Sequence, residues 1–146
     1  MTIHALLVAV LALLPHSMTR SRDATAIVGA IEQATGEDAA RGYADAPLEA
    51  ATMLLFARDE SGLRLHPKPQ SWDSKAHRVC GPWQLACTFV EAHPSPVDQA
   101  REWTRLVHSC GLSCVSPDAN HARQRLVAAW GLVGRVTFST MIVSRR

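Results

Sequence analysis

Residues 48–60 read LEAATMLLFARDE, and this stretch decides the fold class. Leu48, Thr52 and Leu55 fall on one side of a helix, while Met53, Phe56 and Ala57 fall on another. A helix apolar over most of its surface must sit inside a core. Arg58, Asp59 and Glu60 close it. Glu60 continues the Met53, Phe56 and Ala57 stripe at i+7, i+4 and i+3, so the spacing puts it where the buried face opens out. Burial penalises the ionised form of a carboxylate, and the helix macrodipole disfavours an anion at a C-terminus. An acid in this place needs a reason, and general acid catalysis is one such reason.

Further helices are predicted on both sides of this one. Upstream, Ile27, Ile31 and Ala34 recur at i, i+4 and i+7 from Ala24, and Gly36 reads as the stop. Residues 42–47 read as a turn-rich connector. Downstream, Ser61 to Arg78 reads as a long irregular loop, a length that in a compact domain points to function or disorder. Gly81-Pro82 reads as a helix start, with Pro in the first turn. Ser95-Pro96-Val97-Asp98 starts another helix, carrying Val97, Ala100, Trp103, Val107 and Cys110 on one face and stopped by Gly111. Ser116-Pro117-Asp118 starts the last, with the stripe Ala122, Leu126, Ala129, Trp130 and Val133. Arg135 to Val143 reads as β-like or irregular. The expectation is a mainly α chain with no internal repeat.

The chain has 146 residues, 47% hydrophobic and 19% charged, which fits one folded domain. A net charge of +2 argues against nucleic acid, which calls for a dense Lys/Arg stripe. Ala5 to Leu14 is an unbroken apolar run, too short to span a bilayer comfortably. Residues 1–22 therefore read as an apolar N-terminal segment and linker: the core of a secretory signal, an uncleaved anchor or a first buried helix. Residues 23–146 read as the functional domain, and membrane contact is confined to residues 5–14. Cys80, Cys87, Cys110 and Cys114 permit two disulfides in three pairings, or buried thiols, and their spacings do not match the usual zinc pairs. His66, His77, His93, His108 and His121 show no tight ligand spacing, so no metal or cofactor is expected.

Glu60-Ser61-Gly62, a loop, and then Gly81-Pro82-Trp83-Gln84-Leu85 together resemble the lytic transglycosylase signature. In that family a helix ends in Glu-Ser and a loop leads to Gly-x-x-Gln followed by an aliphatic residue; Ser74 resembles the Ser that often precedes the glycine. The resemblance covers roughly residues 24–134. It implies a lysozyme-like helical domain with a long cleft loop, an extracytoplasmic location, and peptidoglycan glycan strands as partner. It makes Glu60 the general acid and then base. Ser61 and Gln84 would bind the saccharide, and Gly81 would let backbone approach the sugar. Pro82 and Trp83 stand where the family usually has an aliphatic residue and Met. The family's later Ala-Tyr-Asn segment has no counterpart, because the single tyrosine is Tyr43; Trp130, in Ala129-Trp130-Gly131, stands at that place as core or cleft residue. Trp72 and Trp83 are candidate sugar platforms. Asp73 is the candidate second carboxylate of a hydrolytic lysozyme, the first alternative. The second alternative is a non-catalytic glycan-binding or structural relative.

Overall fold

The stretch that decided the fold class is the centre of the molecule. In the computed structural model, which describes residues 2–71, 78–116 and 118–144, it lies within helix α4 (Ala46–Ser61). Pro47 sits in its first turn, where the missing N–H is no loss. Gly62 ends it in the left-handed conformation, with Gly62 N–H donating to Arg58 O at 2.8 Å. Met53, Leu54, Leu55, Phe56 and Ala57 are all fully buried, so no face of the helix middle meets water.

Helices α1 (Ile3–Leu11), α3 (Arg22–Ala40) and α7 (Ala119–Ser144) pack directly on α4, and α6 (Pro96–Cys110) packs on α3. A short helix α2 (His16–Thr19) joins α1 to α3, and α5 (Cys87–Ala92) precedes α6. One core cluster joins Leu6, Leu7 and Val10 of α1 to Ile27 and Ile31 of α3, Leu54 and Phe56 of α4, and Trp103 of α6. The apolar N-terminal run thus shares the core of the rest. Phe56 and Trp103 meet edge to face at 5.6 Å. Ala129 of α7 closes on Ala51 and Leu55. Among the described residues no helix is long and apolar enough to cross a membrane.

Three expectations are corrected. Gly36 does not stop α3, which runs to Ala40. A helical glycine costs only about 1 kcal/mol, and the burial of Ile27, Ala30, Ile31 and Ala34 on the same helix outweighs it. Asp118, not Ser116, caps α7: its Oδ1 accepts from Asn120 N–H at 2.9 Å and His121 N–H at 3.3 Å. Residues 135–143 are helical, because α7 continues through Ser144. Their β-branched composition favours strand only where a sheet edge is there to pair with. Instead a helix nucleated upstream is extended, with Leu132, Val133 and Val136 packed against the core.

The sheet is small and antiparallel, in the order β1 (Gln70–Ser71), β2 (Arg78–Cys80), β3 (Leu85–Ala86). Gln70 pairs with Val79, and Cys80 with Leu85. The region between Ser61 and Arg78, expected to be irregular throughout, therefore contributes a strand. Trp72, Asp73, Ser74 and His77, like Pro117, lie outside the described residues.

Because α4 is buried on every face, the fold is most sensitive there. Leu54→Ala removes a fully buried side chain and is expected to cost about 2–5 kcal/mol. Urea unfolding should show the midpoint lowered with an unchanged slope.

Candidate active site

The two halves of the Glu-Ser and Gly-x-x-Gln pattern lie twenty residues apart in sequence and both reach α4, but at different places: the turn docks at Met53, about 10 Å along the helix from Glu60, and no described contact joins Gln84 to Glu60. Gly81-Pro82-Trp83-Gln84 does not begin a helix, as its proline suggested. It is the turn of the β2–β3 hairpin, and the helix starts at Cys87. The fixed φ of proline suits the second position of a tight turn as well as the first turn of a helix. The Cys80–Cys87 disulfide closes the hairpin across this turn. Trp83 is buried beneath it, and its indole N–H donates to Met53 O at 3.1 Å, fastening the turn to the middle of α4.

Gln84 is buried in a left-handed conformation, φ 51°. Its Nε2 donates to Gly81 O at 2.8 Å, and its backbone N–H donates to the same oxygen at 3.2 Å. Its Oε1 is buried without a hydrogen-bond partner. Gln84 lines a cavity of about 490 Å³ with Val79, Leu85, Leu106 and Val115. It is thus a turn-forming side chain beside a mostly apolar hollow rather than an amide on a helix surface. Gly81 has φ 78°, and the place of its missing Cβ is taken by Gln99 Oε1. The close approach that glycine allows here is made by Gln99, whose Nε2 donates to His93 O and Pro94 O.

Glu60 lies one turn beyond the last fully buried residue of α4, with a quarter of its side chain exposed. The sequence reading put it at the mouth of an apolar face; the structure gives it a cation. Arg125 of α7, itself buried, donates from Nη1 to Glu60 Oε1 at 2.9 Å and from Nε to Asp59 Oδ2 at 2.7 Å. Its guanidinium lies 4.7 Å from the centre of the Phe56 ring. His121 Nε2 is 4.0 Å from Glu60 Oε1. Burial works against the charge on Asp59, but hydrogen bonds from Arg58 and Arg125 hold its carboxyl below the usual carboxylate range. Arg125 does carry a signal in the sequence: Ala122, Arg125 and Ala129 share one stripe at i, i+3 and i+7, and a charge on a buried stripe needs a partner.

The other expected residues are placed as follows. Ser61 is buried; its hydroxyl donates to Ala57 O at 2.6 Å and accepts from Arg64 N–H at 3.3 Å, so it caps its own helix. Trp83 is core and has no face free for a sugar. Trp130 is neither core nor paired with Glu60 in any described contact; it stands exposed on α7. The four cysteines form Cys80–Cys87 and Cys110–Cys114.

A second group of side chains lies at the other end of α4. Asp38 of α3, Glu49 in the first turn of α4 and His108 of α6 converge there. Burial, and then the neighbouring Asp38 carboxylate, pushes the Glu49 carboxyl up to about 8. Sequence spacing could not reveal this group, because each residue comes from a different helix.

Comparison with protein-family models, with curated proteins and with solved structures finds no match to this chain.

The hairpin geometry makes two glycine substitutions differ in sign. Gly81→Ala meets both a left-handed backbone and Gln99, and is expected to cost about 1–3 kcal/mol. Gly29→Ala, on α3 with open space at its Cβ, is expected to gain about 0.4–1 kcal/mol. Thermal unfolding of the two variants beside the parent checks both signs.

Proposed function

We propose that this chain cleaves peptidoglycan glycan strands as a lytic transglycosylase, with Glu60 as its catalytic acid and base. The observation that carries the reading is Glu60 at the partly exposed end of a buried helix on which the Gly81–Gln84 turn also docks, at Met53, about 10 Å away along the axis. Two short patterns, each weak alone, are thereby held on one structural unit. The mainly helical architecture, with a small antiparallel sheet directly after the Glu helix, supports the lysozyme-like assignment. Two disulfides suit an extracytoplasmic location.

In the proposed reaction, protonated Glu60 donates to the oxygen bridging N-acetylmuramic acid and N-acetylglucosamine. Glu60 as carboxylate then takes the proton from the muramyl 6-hydroxyl, which closes on the anomeric carbon to give a 1,6-anhydro end. Arg125 is a partner for the carboxylate stage and fixes the side-chain direction of Glu60. Gln84 and Gly81 shape the turn, Trp83 anchors it, and Ser61 holds the helix end; these are positioning residues. Trp130, exposed on α7, is free to meet a glycan strand.

The Arg125–Glu60 pair also favours one rival: a glycan-binding relative in which Glu60 serves only to dock α7. The substitution Glu60→Gln separates the two. It removes the proton donor but retains an oxygen for Arg125. In the enzyme it lowers the rate of peptidoglycan digestion by about 10²–10⁴-fold, with the melting temperature within a few degrees of the parent. Mass analysis of the parent's products should show 1,6-anhydromuramyl ends. Reducing muramic ends would assign hydrolysis instead. Parent protein that releases no fragments would overturn the enzymatic reading.

A further inference from the structure

The cluster at the N-terminal end of α4 has the makings of a site of its own. Asp38 is 2% exposed, the Glu49 side chain 9% and the His108 side chain 25%. His108 Nε2 lies 3.1 Å from Glu49 Oε1 and 3.7 Å from Asp38 Oδ2, and one ligand atom from each residue lies within 4.8 Å of the others. Asp38 Oδ2 and Glu49 Oε1 are both buried without a hydrogen-bond partner. Arg41 approaches the opposite oxygen of Asp38, Oδ1, at 3.6 Å, so Oδ2 is the one turned into the cluster. Two buried carboxylate oxygens that no well-formed hydrogen bond satisfies, and an imidazole nitrogen within ion-pair distance of both, mark a place for a shared cation.

We propose that Asp38, Glu49 and His108 bind a divalent transition-metal ion of the zinc class. Donor chemistry sets the class. An imidazole nitrogen with two carboxylate oxygens suits zinc or cobalt, whereas calcium and magnesium favour oxygen alone. All four cysteines are in disulfides, so no thiolate competes. A dication balances the charge of the two carboxylates. Three protein ligands leave a further position for water. Access exists, because His108 and Tyr43 line two adjoining hollows of about 730 and 280 Å³. Tyr43 stacks flat on the His108 ring, with centres 4.1 Å apart, and holds the imidazole in its plane. The three ligands come from α3, α4 and α6, so the ion would cross-link three helices of the core.

Tyr43 is the single tyrosine of the chain, which gives a direct reporter. Metal-stripped protein with its disulfides intact is titrated with Co²⁺ and followed by proton NMR. The Tyr43 ring signals should show a paramagnetic shift that saturates at one equivalent. Zn²⁺ at a hundredfold excess over its Kd should raise the unfolding midpoint by about 5–10 °C. In Glu49→Gln and in His108→Gln the affinity should fall at least tenfold and this rise should shrink accordingly. Unperturbed Tyr43 signals would overturn the proposal and leave the cluster as a proton-sharing carboxyl pair beside His108. A Zn²⁺ effect in both variants as large as in the parent would overturn it as well, by assigning the ion to other histidines. The Tyr43 measurement uses the parent protein, so it decides even where a variant folds poorly, and lysis enters neither readout.

Discussion

Complete burial of the middle of α4 is the constraint on which the rest of the molecule depends. Five consecutive residues, Met53 to Ala57, are shut off from water, which requires neighbours on every side. Helices α1, α3 and α7 supply them. Each fully buried large side chain stabilises the fold by about 1.5–3 kcal/mol, so this one segment contributes a large share of the hydrophobic driving force. The same burial forbids polar chemistry in the middle of the helix. Ionisable groups are confined to its two ends, Glu49 in the first turn and Arg58, Asp59 and Glu60 in the last. Both candidate sites lie at those ends, about 16 Å apart along the helix axis.

Polar backbone groups on a buried helix are satisfied internally, yet a carbonyl can accept a second hydrogen bond. Met53 O does so from the Trp83 indole. This single bond, with the buried area of the ring, decides where the hairpin sits, since β2 and β3 pair over few residues and could not position themselves alone. The hairpin turn then carries unusual features together: a glycine at positive φ, a glutamine at positive φ and an orphaned Gln84 amide oxygen, with the equally orphaned amide oxygen of Gln99 on α6 against Gly81. Strain and unsatisfied polar atoms persist where the surroundings over-determine them. Here the disulfide on one side and the tryptophan on the other do that.

The helical class, the α4 span and the α6 start and stop were legible because they rest on periodicity and on punctuation by Pro and Gly. The turn at Gly81-Pro82 was misread because proline satisfies two local structures equally, and only the pairing of Leu85 and Ala86 with β2 selects one. Arg135 to Val143 failed for a related reason: β-branched residues report a preference for a pleated neighbour, and none of the described strands pairs with this segment. The candidate site was legible as a pattern along the chain, Glu60 and then Gly81 to Gln84. Its partners were not, because Arg125, like Asp38 and His108, reaches α4 from another helix, and a single sequence holds no distances. A cation on the Ala122–Ala129 stripe already implied an anion opposite, and Asp59 and Glu60 are the charges that end the most buried helix.

Arg125 also changes what counts as the site. The pattern that suggested function ends at Leu85, yet the direction of Glu60 is set by a residue forty positions later. Arg125 can hold that direction only while α7 is docked, and α7 is docked through Ala129 on Ala51 and Leu55 and through Ala122 in the main core. Removing one partner of a buried ion pair leaves a charge without its counter-charge, which costs far more than the intact pair contributes. Loosening α7 would therefore expose Arg125 and release Asp59 and Glu60 together. Helix packing and carboxylate geometry at this end of α4 are one cooperative unit. The cluster at the other end is built from α3, α4 and α6, so the two ends share the core helix and little else.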